Sequence, residues 1–373
     1  MKSVLFDVDG VFLSEERCFD VSALTVYELL MSKSYIGLDP SFEFEGLTDQ
    51  QINDIRNTVF YHDEILKKLK SLGLNSNWDM LFIVGAFHFI ELCKTLPPQM
   101  KESVLEAEKF NEQTLQTVGG QLDDITLNFE LPLSFLEGVK SGKDNIYKAL
   151  ITYASETLHT NQTEIFELKS PFWKLTQEIY QEWYLGVELF KQVEQKENRS
   201  LFKKGYIYEE VVLRPVEEIK QLLADLKAAG YHIAIATGRP RTETIVPFET
   251  IGIKSYFDEK YIVTASEVLI AEDKFPHLKP LGKPNPFSYL ATLSGNDENE
   301  YESYTTNQEQ RVTKDEVFIV GDSLADLLSA KKIGATFIGP LTGLKGQQAR
   351  EELESYEADY IVNHVGEIRD ILL

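Results

Sequence analysis

Apolar and polar positions repeat with two different periods along this chain, and the change of period divides it. Residues 4–6 are apolar and extended in character, and Gly10 then permits an immediate turn. From there to about residue 204 the apolar positions recur every three or four residues, as at Leu66, Leu69 and Leu72. This spacing predicts a mostly helical segment. The predicted helices cover residues 20–33, 61–72, 78–95, 99–117, 141–158 and 171–196.

From residue 205 onward, strand-like and helical patterns alternate, which predicts a parallel, doubly wound α/β sheet. The first strand must join this sheet. We therefore expect one domain from residues 1–13 and 205–373, with a helical domain of residues 14–204 inserted into it. Residues 294–316 are polar and acidic and are predicted to be a solvated loop. The later strands are predicted at residues 232–236, 261–264, 317–320, 336–338 and 359–362.

The composition of the chain argues against some classes of binding partner. A chain of 373 residues with 43% hydrophobic residues can bury more than one core. The net charge of −23 argues against nucleic acid as a partner, because phosphate backbones are bound by an excess of Lys and Arg. Cys18 and Cys93 make no disulfide framework, and the most apolar stretch, residues 81–93, is too short to span a bilayer. Without a basic segment and apolar run of the signal type near residue 1, we expect a cytoplasmic protein with no membrane partner.

Polar residues that can carry chemistry follow several of the predicted strands. Because ligands of open α/β sheets bind at the carboxyl edge, we expect these residues to meet there. Clustered carboxylates suit a hard cation, which favours Mg²⁺. A hydroxyl, a lysine and Mg²⁺ around one anionic centre favour phosphoryl transfer, in which a carboxylate can serve as the nucleophile. The residues are Asp7, Asp9, Thr237, Lys283, Asp322 and Asp326.

Taken together, four short motifs resemble those of the haloacid dehalogenase-like (HAD) hydrolase superfamily. Their order and spacing agree with that family, and the resemblance covers residues 1–13 and about 205–373. It implies a Rossmann-like core and a helical cap inserted after the first strand, here residues 14–204. The motifs are Asp7-Val8-Asp9-Gly10-Val11, Ile235-Ala236-Thr237-Gly238, Gly282-Lys283-Pro284, and Gly321-Asp322 through Asp326.

The resemblance also implies a role for each of the catalytic residues. Asp7 would attack phosphorus and form an aspartyl-phosphate. Asp9 would protonate the leaving alcohol and then deprotonate the hydrolytic water. Thr237 and the amide of Gly238 would hold phosphoryl oxygens, and Lys283 would neutralise them.

The metal ligands implied by the same resemblance are Asp7, the backbone carbonyl of Asp9, and Asp322, with Asp326 acting through water. The function implied is that of a Mg²⁺-dependent phosphatase acting on a small phosphorylated metabolite. A phosphomutase is an alternative, since the Asp-x-Asp-Gly-Val form also occurs in β-phosphoglucomutase-like members. A scaffold that uses the cap as an interaction surface is another. The acid at Asp9 argues against a dehalogenase.

One stretch of the predicted cap, residues 73–79, is similar to a G-x-N-x-D/N-W-D element of an uncharacterised branch of the superfamily. It predicts that Asn75, Trp78 and Asp79 contact the substrate from a polar connection between two helices. The alternative is that Asn77 or Asp79 caps the following helix while Trp78 packs in the cap.

Two arginines, Arg239 and Arg241, follow the second motif, and we predict that both are solvated. The six histidines lack metal-ligand spacing and are predicted to be structural, and both cysteines are predicted to pack in the interior.

Overall fold

The computed structural model describes residues 2–123 and 125–373. Within it the chain forms two units, one from Met1–Glu16 together with Ile207–Leu373 and the other from Arg17–Tyr206. We call the first the sheet unit and the second the helical unit. The helical unit nearly coincides with residues 14–204, the expected insertion.

Six parallel strands form one sheet among the described residues of the sheet unit. The strands are β1 Ser3–Phe6, β2 His232–Ala236, β3 Ile262–Val263, β4 Val317–Val320, β5 Thr336–Pro340 and β6 Tyr360–Val362. Their order is β3-β2-β1-β4-β5-β6, so β1 lies between β2 and β4. Phe6 pairs with Ile235 on one side and with Val320 on the other, so the carboxyl ends of β1, β2 and β4 lie side by side. The predicted doubly wound α/β fold is confirmed.

The helical unit consists of amphipathic and buried helices joined by turns. The first five are α1 Glu16–Met31, α2 Asp49–Val59, α3 Glu64–Ser71, α4 Asn77–Cys93 and α5 Pro98–Val104. They are followed by α6 Glu112–Gly119, α7 Leu131–Leu136, α8 Lys143–Leu158 and α9 Pro171–Glu194, which is kinked at Gly186. Among the described residues, no helix has both the length and the apolar character needed to cross a membrane.

Two predicted helices of this unit differ from the structure for local reasons. The predicted helix 99–117 is two helices, because the side chain of Asn111 accepts two backbone N–H groups and starts α6. The predicted helix 61–72 begins only at Glu64, because residues 61–63 all have positive φ angles. The spacing of apolar residues alone does not predict these interruptions of the helices.

In the sheet unit, helices cover both faces of the sheet. Val4 and Phe6 of β1 pack into one core and Leu5 into the other, as the alternation of a strand requires. These helices are α10 Val216–Ala228, α11 Arg241–Ile251, α12 Ala265–Lys274, α13 Phe287–Leu293, α14 Tyr301–Thr305, α15 Leu324–Ile333, α16 Ala349–Ser355 and α17 Arg369–Leu372.

The prediction that residues 294–316 form a solvated loop is wrong for the middle of the segment. Tyr301 and Tyr304, three residues apart on α14, are both buried, and the Tyr301 ring lies 5.2 Å from that of Phe287. A one-turn helix can bury two aromatic rings on one side while its acidic neighbours remain in water. The acidic composition of residues 294–316 therefore did not predict the packed helix within them.

Candidate active site

The carboxyl ends of β1 and β4 bring three of the predicted acids together. Asp7 directly follows β1, Asp322 lies just after β4, and Asp326 lies in the first turn of α15. One carboxylate oxygen from each lies within 4.8 Å of the others. We call Asp7, Asp322 and Asp326 the acid triad.

Lys283 supplies a positive charge to this triad. Its Nζ lies 3.1 Å from Asp7 Oδ2 and 2.8 Å from Asp326 Oδ1. The ammonium also lies over the ring of Tyr289, 4.9 Å from the ring centroid. Burial by itself would lower the pKa of Lys283, but the two carboxylates outweigh it and raise that pKa above its ordinary value. Lys283 is therefore protonated at neutral pH.

Asp326 is held by its neighbours in a single position. Ser323 Oγ donates to Asp326 Oδ2 over 2.6 Å, and Tyr289 Oη donates to Asp326 Oδ1 over 2.8 Å. Burial raises the pKa of Asp326, but Lys283 and these hydrogen bonds outweigh it, so the net shift is downward. Asp326 is thus a buried, ionised carboxylate with its partners in place.

The other two members of the triad are less well compensated. Burial is the largest cause that raises the pKa of Asp7, with Asp326 and Asp9 adding to it and Lys283 opposing it. Burial also raises the pKa of Asp322, followed by the charges of Asp326 and Asp7. Lys283 contacts Asp7 and Asp326, so a single ammonium faces the three carboxylates of the triad, and their ionised forms leave an excess of negative charge. Hard oxygen ligands with such an excess fit a divalent cation such as Mg²⁺.

Two glycines allow the backbone to approach Asp322 closely. Gly10 has a φ of +71°, and a Cβ at this position would lie 2.3 Å from Asp322 Cγ. A Cβ at Gly343 would lie 1.8 Å from Asp322 Oδ2. Both distances are far below a van der Waals contact, so larger side chains would displace the Asp322 carboxylate.

Thr237 and Gly238 follow β2, next to the strand that leads to Asp7. Thr237 is buried, its N–H donates to the Val263 carbonyl over 3.0 Å, and its Oγ1 accepts from the Arg239 N–H over 3.2 Å. Gly238 is exposed. Contact of these two residues with phosphoryl oxygens stays a prediction.

Asp9 does not join the acid triad with its carboxylate but pairs with Arg239. Arg239 Nε lies 2.9 Å from Asp9 Oδ1 and 3.1 Å from Asp9 Oδ2, and Nη2 lies 2.6 Å from Oδ1. The opposite side of the guanidinium binds Glu210, with Nη1 2.7 Å from Glu210 Oε1. The expected group of four carboxylates is therefore divided into the triad with Lys283 and a separate Asp9–Arg239–Glu210 chain.

The prediction of a solvated Arg239 is wrong, since its side chain is only 5% exposed. Arg241 is half-buried and pairs with Glu259 and Glu267. A basic residue directly after Thr237-Gly238, at an edge with an excess of acids, was the sequence signal for an ion pair at Arg239. Spacing alone could not choose Asp9 as its partner.

The predicted cap residues lie within the helical unit, and one of them has an environment that was not expected. Ser76 caps α4, so neither Asn77 nor Asp79 does. Asp79 lies in the first turn of α4 with 1% of its surface exposed. Its carboxylate is 2.6 Å from Lys143 Nζ and accepts hydrogen bonds from Tyr147 Oη and Trp173 Nε1 over 2.7 and 3.0 Å. A polar connection was predicted here, but Asp79 belongs to the core of the unit.

The neighbouring residues of that stretch are more accessible. Asn75 is exposed, and Trp78 is half-buried with its ring edge-on to that of Trp173, 6.2 Å between centroids. A contact between substrate and Asn75, Trp78 or Asp79 stays a prediction. Cys18 and Cys93 are both buried and free.

Comparison with known proteins agrees with the motifs. The model of the family described as haloacid dehalogenase-like hydrolase matches residues 183–339, which contain Thr237, Lys283, Asp322 and Asp326. Pyrophosphatase PpaX of Bacillus velezensis is 26% identical over 155 residues, 42% of this chain and 58% of that protein. Phosphoglycolate phosphatase of Vibrio vulnificus is 24% identical over 155 residues, 42% of this chain and 55% of that protein. The chain therefore spans little more than half the length of these curated relatives.

A crystal structure determined by the Northeast Structural Genomics Consortium resembles the whole chain. It is 59% identical, covers 100% of this chain and 98% of its own, and superimposes with a TM-score of 0.93. The family match and the curated relatives agree with the parallel sheet and with the acids and lysine at its carboxyl edge. Residues 183–339 thus match the haloacid dehalogenase-like hydrolase family, and the curated relatives of this part of the chain are phosphatases.

Proposed function

We propose that this protein is a Mg²⁺-dependent phosphatase that hydrolyses a small phosphorylated metabolite through an aspartyl-phosphate on Asp7. The observation that carries the proposal is the position of Asp7 at the end of the central strand, with Lys283 Nζ 3.1 Å from its carboxylate. A nucleophilic carboxylate beside a fixed cation is suited to attack on an anionic phosphoryl group. The relatives named as a phosphoglycolate phosphatase and a pyrophosphatase support a phosphorylated substrate.

The acid triad, together with the backbone carbonyl of Asp9, would hold Mg²⁺. Its oxygens meet the ligand preference of that cation, and their closeness, within 4.8 Å, supports a shared ion. When bound, Mg²⁺ would neutralise charge on the phosphoryl oxygens.

The chemistry then requires two proton transfers and two displacements at phosphorus. A carboxylate oxygen of Asp7 attacks phosphorus, the bond to the leaving oxygen breaks, and Asp9 donates a proton to the departing alcohol. Asp9 next accepts a proton from the water that attacks the aspartyl-phosphate, and the bond between phosphorus and Asp7 breaks to release inorganic phosphate.

The remaining residues orient and neutralise the group that is transferred. The Thr237 hydroxyl and the Gly238 amide are suited to hold phosphoryl oxygens beside Asp7, because β2 and β1 are neighbours in the sheet. Lys283 balances the negative charge of the phosphoryl group and of Asp7. Such preorganised charges are commonly the largest contribution to catalysis of this kind.

The test is hydrolysis of p-nitrophenyl phosphate and of a panel of phosphorylated metabolites with Mg²⁺ present. We expect turnover by the wild type, loss of turnover on chelation of Mg²⁺, and no turnover by Asp7→Asn, because an amide is a poor nucleophile. Asp370→Asn, at an exposed aspartate, is the matched control and should be fully active. Absence of turnover by the wild type would favour a scaffold, and a requirement for a bisphosphate activator would favour a mutase.

A further inference from the structure

The ion chain of Asp9, Arg239 and Glu210 is built from three separate parts of the sheet unit. Asp9 follows β1 and Arg239 follows β2, whereas Glu210 lies in the segment that returns from the helical unit. Backbone hydrogen bonds from Ser14 to Val211 and from Leu213 to Phe12 hold that segment against the loop after β1. The position of Glu210 next to this loop is therefore determined by the backbone.

Arg239 is oriented by buried acceptors rather than by solvent. The Glu210 side chain is 1% exposed, and Arg239 Nη1 reaches both its carboxylate, at 2.7 Å, and the Glu243 carbonyl, at 3.3 Å. The Arg239 N–H donates to Thr237 Oγ1. Two acceptors therefore fix Nη1, the backbone N–H of the same residue is held by Thr237, and the planar guanidinium presents Nε and Nη2 in one direction only.

That direction is the carboxylate of Asp9, the most exposed member of the ion chain at 29%. Asp9 Oδ1 receives two close contacts, at 2.6 and 2.9 Å, while Oδ2 receives one longer contact at 3.1 Å. Nε and Nη2 of Arg239 form a fork of two donors that holds the Asp9 side chain in one rotamer. This arrangement leaves Asp9 Oδ2 with more capacity for a further hydrogen bond. Oδ2 is thus the oxygen suited to exchange a proton with a leaving group or a water molecule.

We propose that Arg239 is a positioning residue that holds Asp9 for proton transfer, with Glu210 fixing Arg239. The inference rests on the proposed phosphatase function and adds residues that act on the proton carrier rather than on phosphorus. Lys cannot replace Arg239 in this role, because a single ammonium does not reproduce the fork that holds a carboxylate in one orientation. The competing explanation is that Arg239 serves only to neutralise the buried Glu210.

The experiment separates these explanations by the leaving group. p-Nitrophenolate departs readily without a proton, whereas the phenolate of phenyl phosphate depends more on an acid, and the two substrates are otherwise closely matched. The ratio kcat/KM reports the transfer of the phosphoryl group from the substrate to Asp7, which is the step in which the leaving group departs. A structural defect lowers kcat/KM for both substrates alike, whereas a misplaced Asp9 lowers it mainly for phenyl phosphate.

The variants are Arg239→Lys and the double variant Arg239→Gln/Glu210→Gln. The double variant removes the buried charge together with its partner, so it should keep the wild-type melting temperature. We expect kcat/KM for phenyl phosphate to fall about 10²-fold in the double variant, with a distinctly smaller fall for p-nitrophenyl phosphate. Arg239→Lys should show the same pattern, because charge alone does not restore the fork. Arg241→Gln, which alters a neighbouring arginine that does not contact Asp9, is the control and should match the wild type.

Equal losses on both substrates, or wild-type values in the folded double variant, would overturn the role of Arg239 while leaving the phosphatase proposal in place. If the wild type hydrolyses neither substrate with Mg²⁺ present, the proposed function fails, and this inference fails with it.

Discussion

Lys283 Nζ lies 2.8 Å from Asp326 Oδ1, and this ion pair joins a turn of the sheet unit to the first turn of α15. Asp326 is fully buried, so its charge is stable there only with such partners. The same ammonium reaches Asp7, the proposed nucleophile. A single lysine thus neutralises the buried charge of Asp326 and lies beside the carboxylate that we propose as the nucleophile.

Replacing this lysine should affect catalysis and metal binding in different ways. In Lys283→Gln we expect turnover of p-nitrophenyl phosphate to fall by about 10²–10³-fold, because a fixed charge at the phosphoryl group is lost. Mg²⁺ should bind at least as tightly as in the wild type, because the ammonium no longer competes with the cation for the carboxylates of the acid triad. Calorimetric titration with Mg²⁺, alongside activity, measures both effects. Weaker Mg²⁺ binding in a folded variant would contradict this assignment of charges.

Two Asp→Asn variants should separate proton transfer from metal binding. Asp9→Asn keeps the backbone carbonyl but loses the proton carrier, so turnover should fall by about 10²–10⁴-fold while Mg²⁺ affinity persists. Asp322→Asn removes a carboxylate of the triad and should weaken Mg²⁺ binding markedly. Calorimetric Mg²⁺ titration of both variants is the measurement. Equal losses of metal affinity would show that the two residues do not have the distinct roles assigned here.

Asp79 is expected to matter for the stability of the helical unit. Asp79→Ala leaves the buried Tyr147 hydroxyl and Trp173 indole N–H without their acceptor and separates Lys143 from its partner. We expect the free energy of unfolding to fall by about 3 kcal/mol, measured by urea denaturation. Asp144→Ala, at an exposed residue in the first turn of α8, should change it little. An Asp79→Ala protein of wild-type stability with an altered KM for its substrate would instead favour the substrate contact.

His88 should make the stability of the protein depend on pH. Its ring packs against Phe129, and burial lowers the pKa of His88 to about 4. Because this pKa lies below that of an unfolded chain, about 6.5, the contribution of the neutral ring is complete above pH 6.5 and is lost as the pH falls toward 4. We expect a loss of about 2 kcal/mol between pH 7.5 and pH 5.

Urea denaturation of His88→Leu at these two pH values checks this expectation. The variant should lack this part of the pH dependence, whereas His277→Gln, at an exposed histidine, should keep it. An identical pH dependence in wild type and His88→Leu would exclude His88 as its source.

The sequence by itself determined the class of fold and the edge at which the chemistry lies. Its change of period marked the helical insertion, and its motifs placed Asp7, Thr237 and Asp322 directly after strands. These features follow from local rules, since strand alternation is a property of consecutive residues and the carboxyl ends of parallel strands share one edge. Lys283 was found through its Gly-Lys-Pro turn and the order of the motifs.

Only the tertiary structure decided which charges pair. Asp9 and Arg239 are 230 positions apart, and Asp79 meets Trp173 across 94 positions, so no local pattern records either contact. The same composition of acids and bases allows many pairings, and burial decides among them, because a buried carboxylate must find a donor at hydrogen-bond distance. For that reason the sequence predicted a solvated Arg239 and an Asp79 in a polar connection between helices, whereas in the structure Arg239 pairs with Asp9 and Asp79 lies in the core of the helical unit.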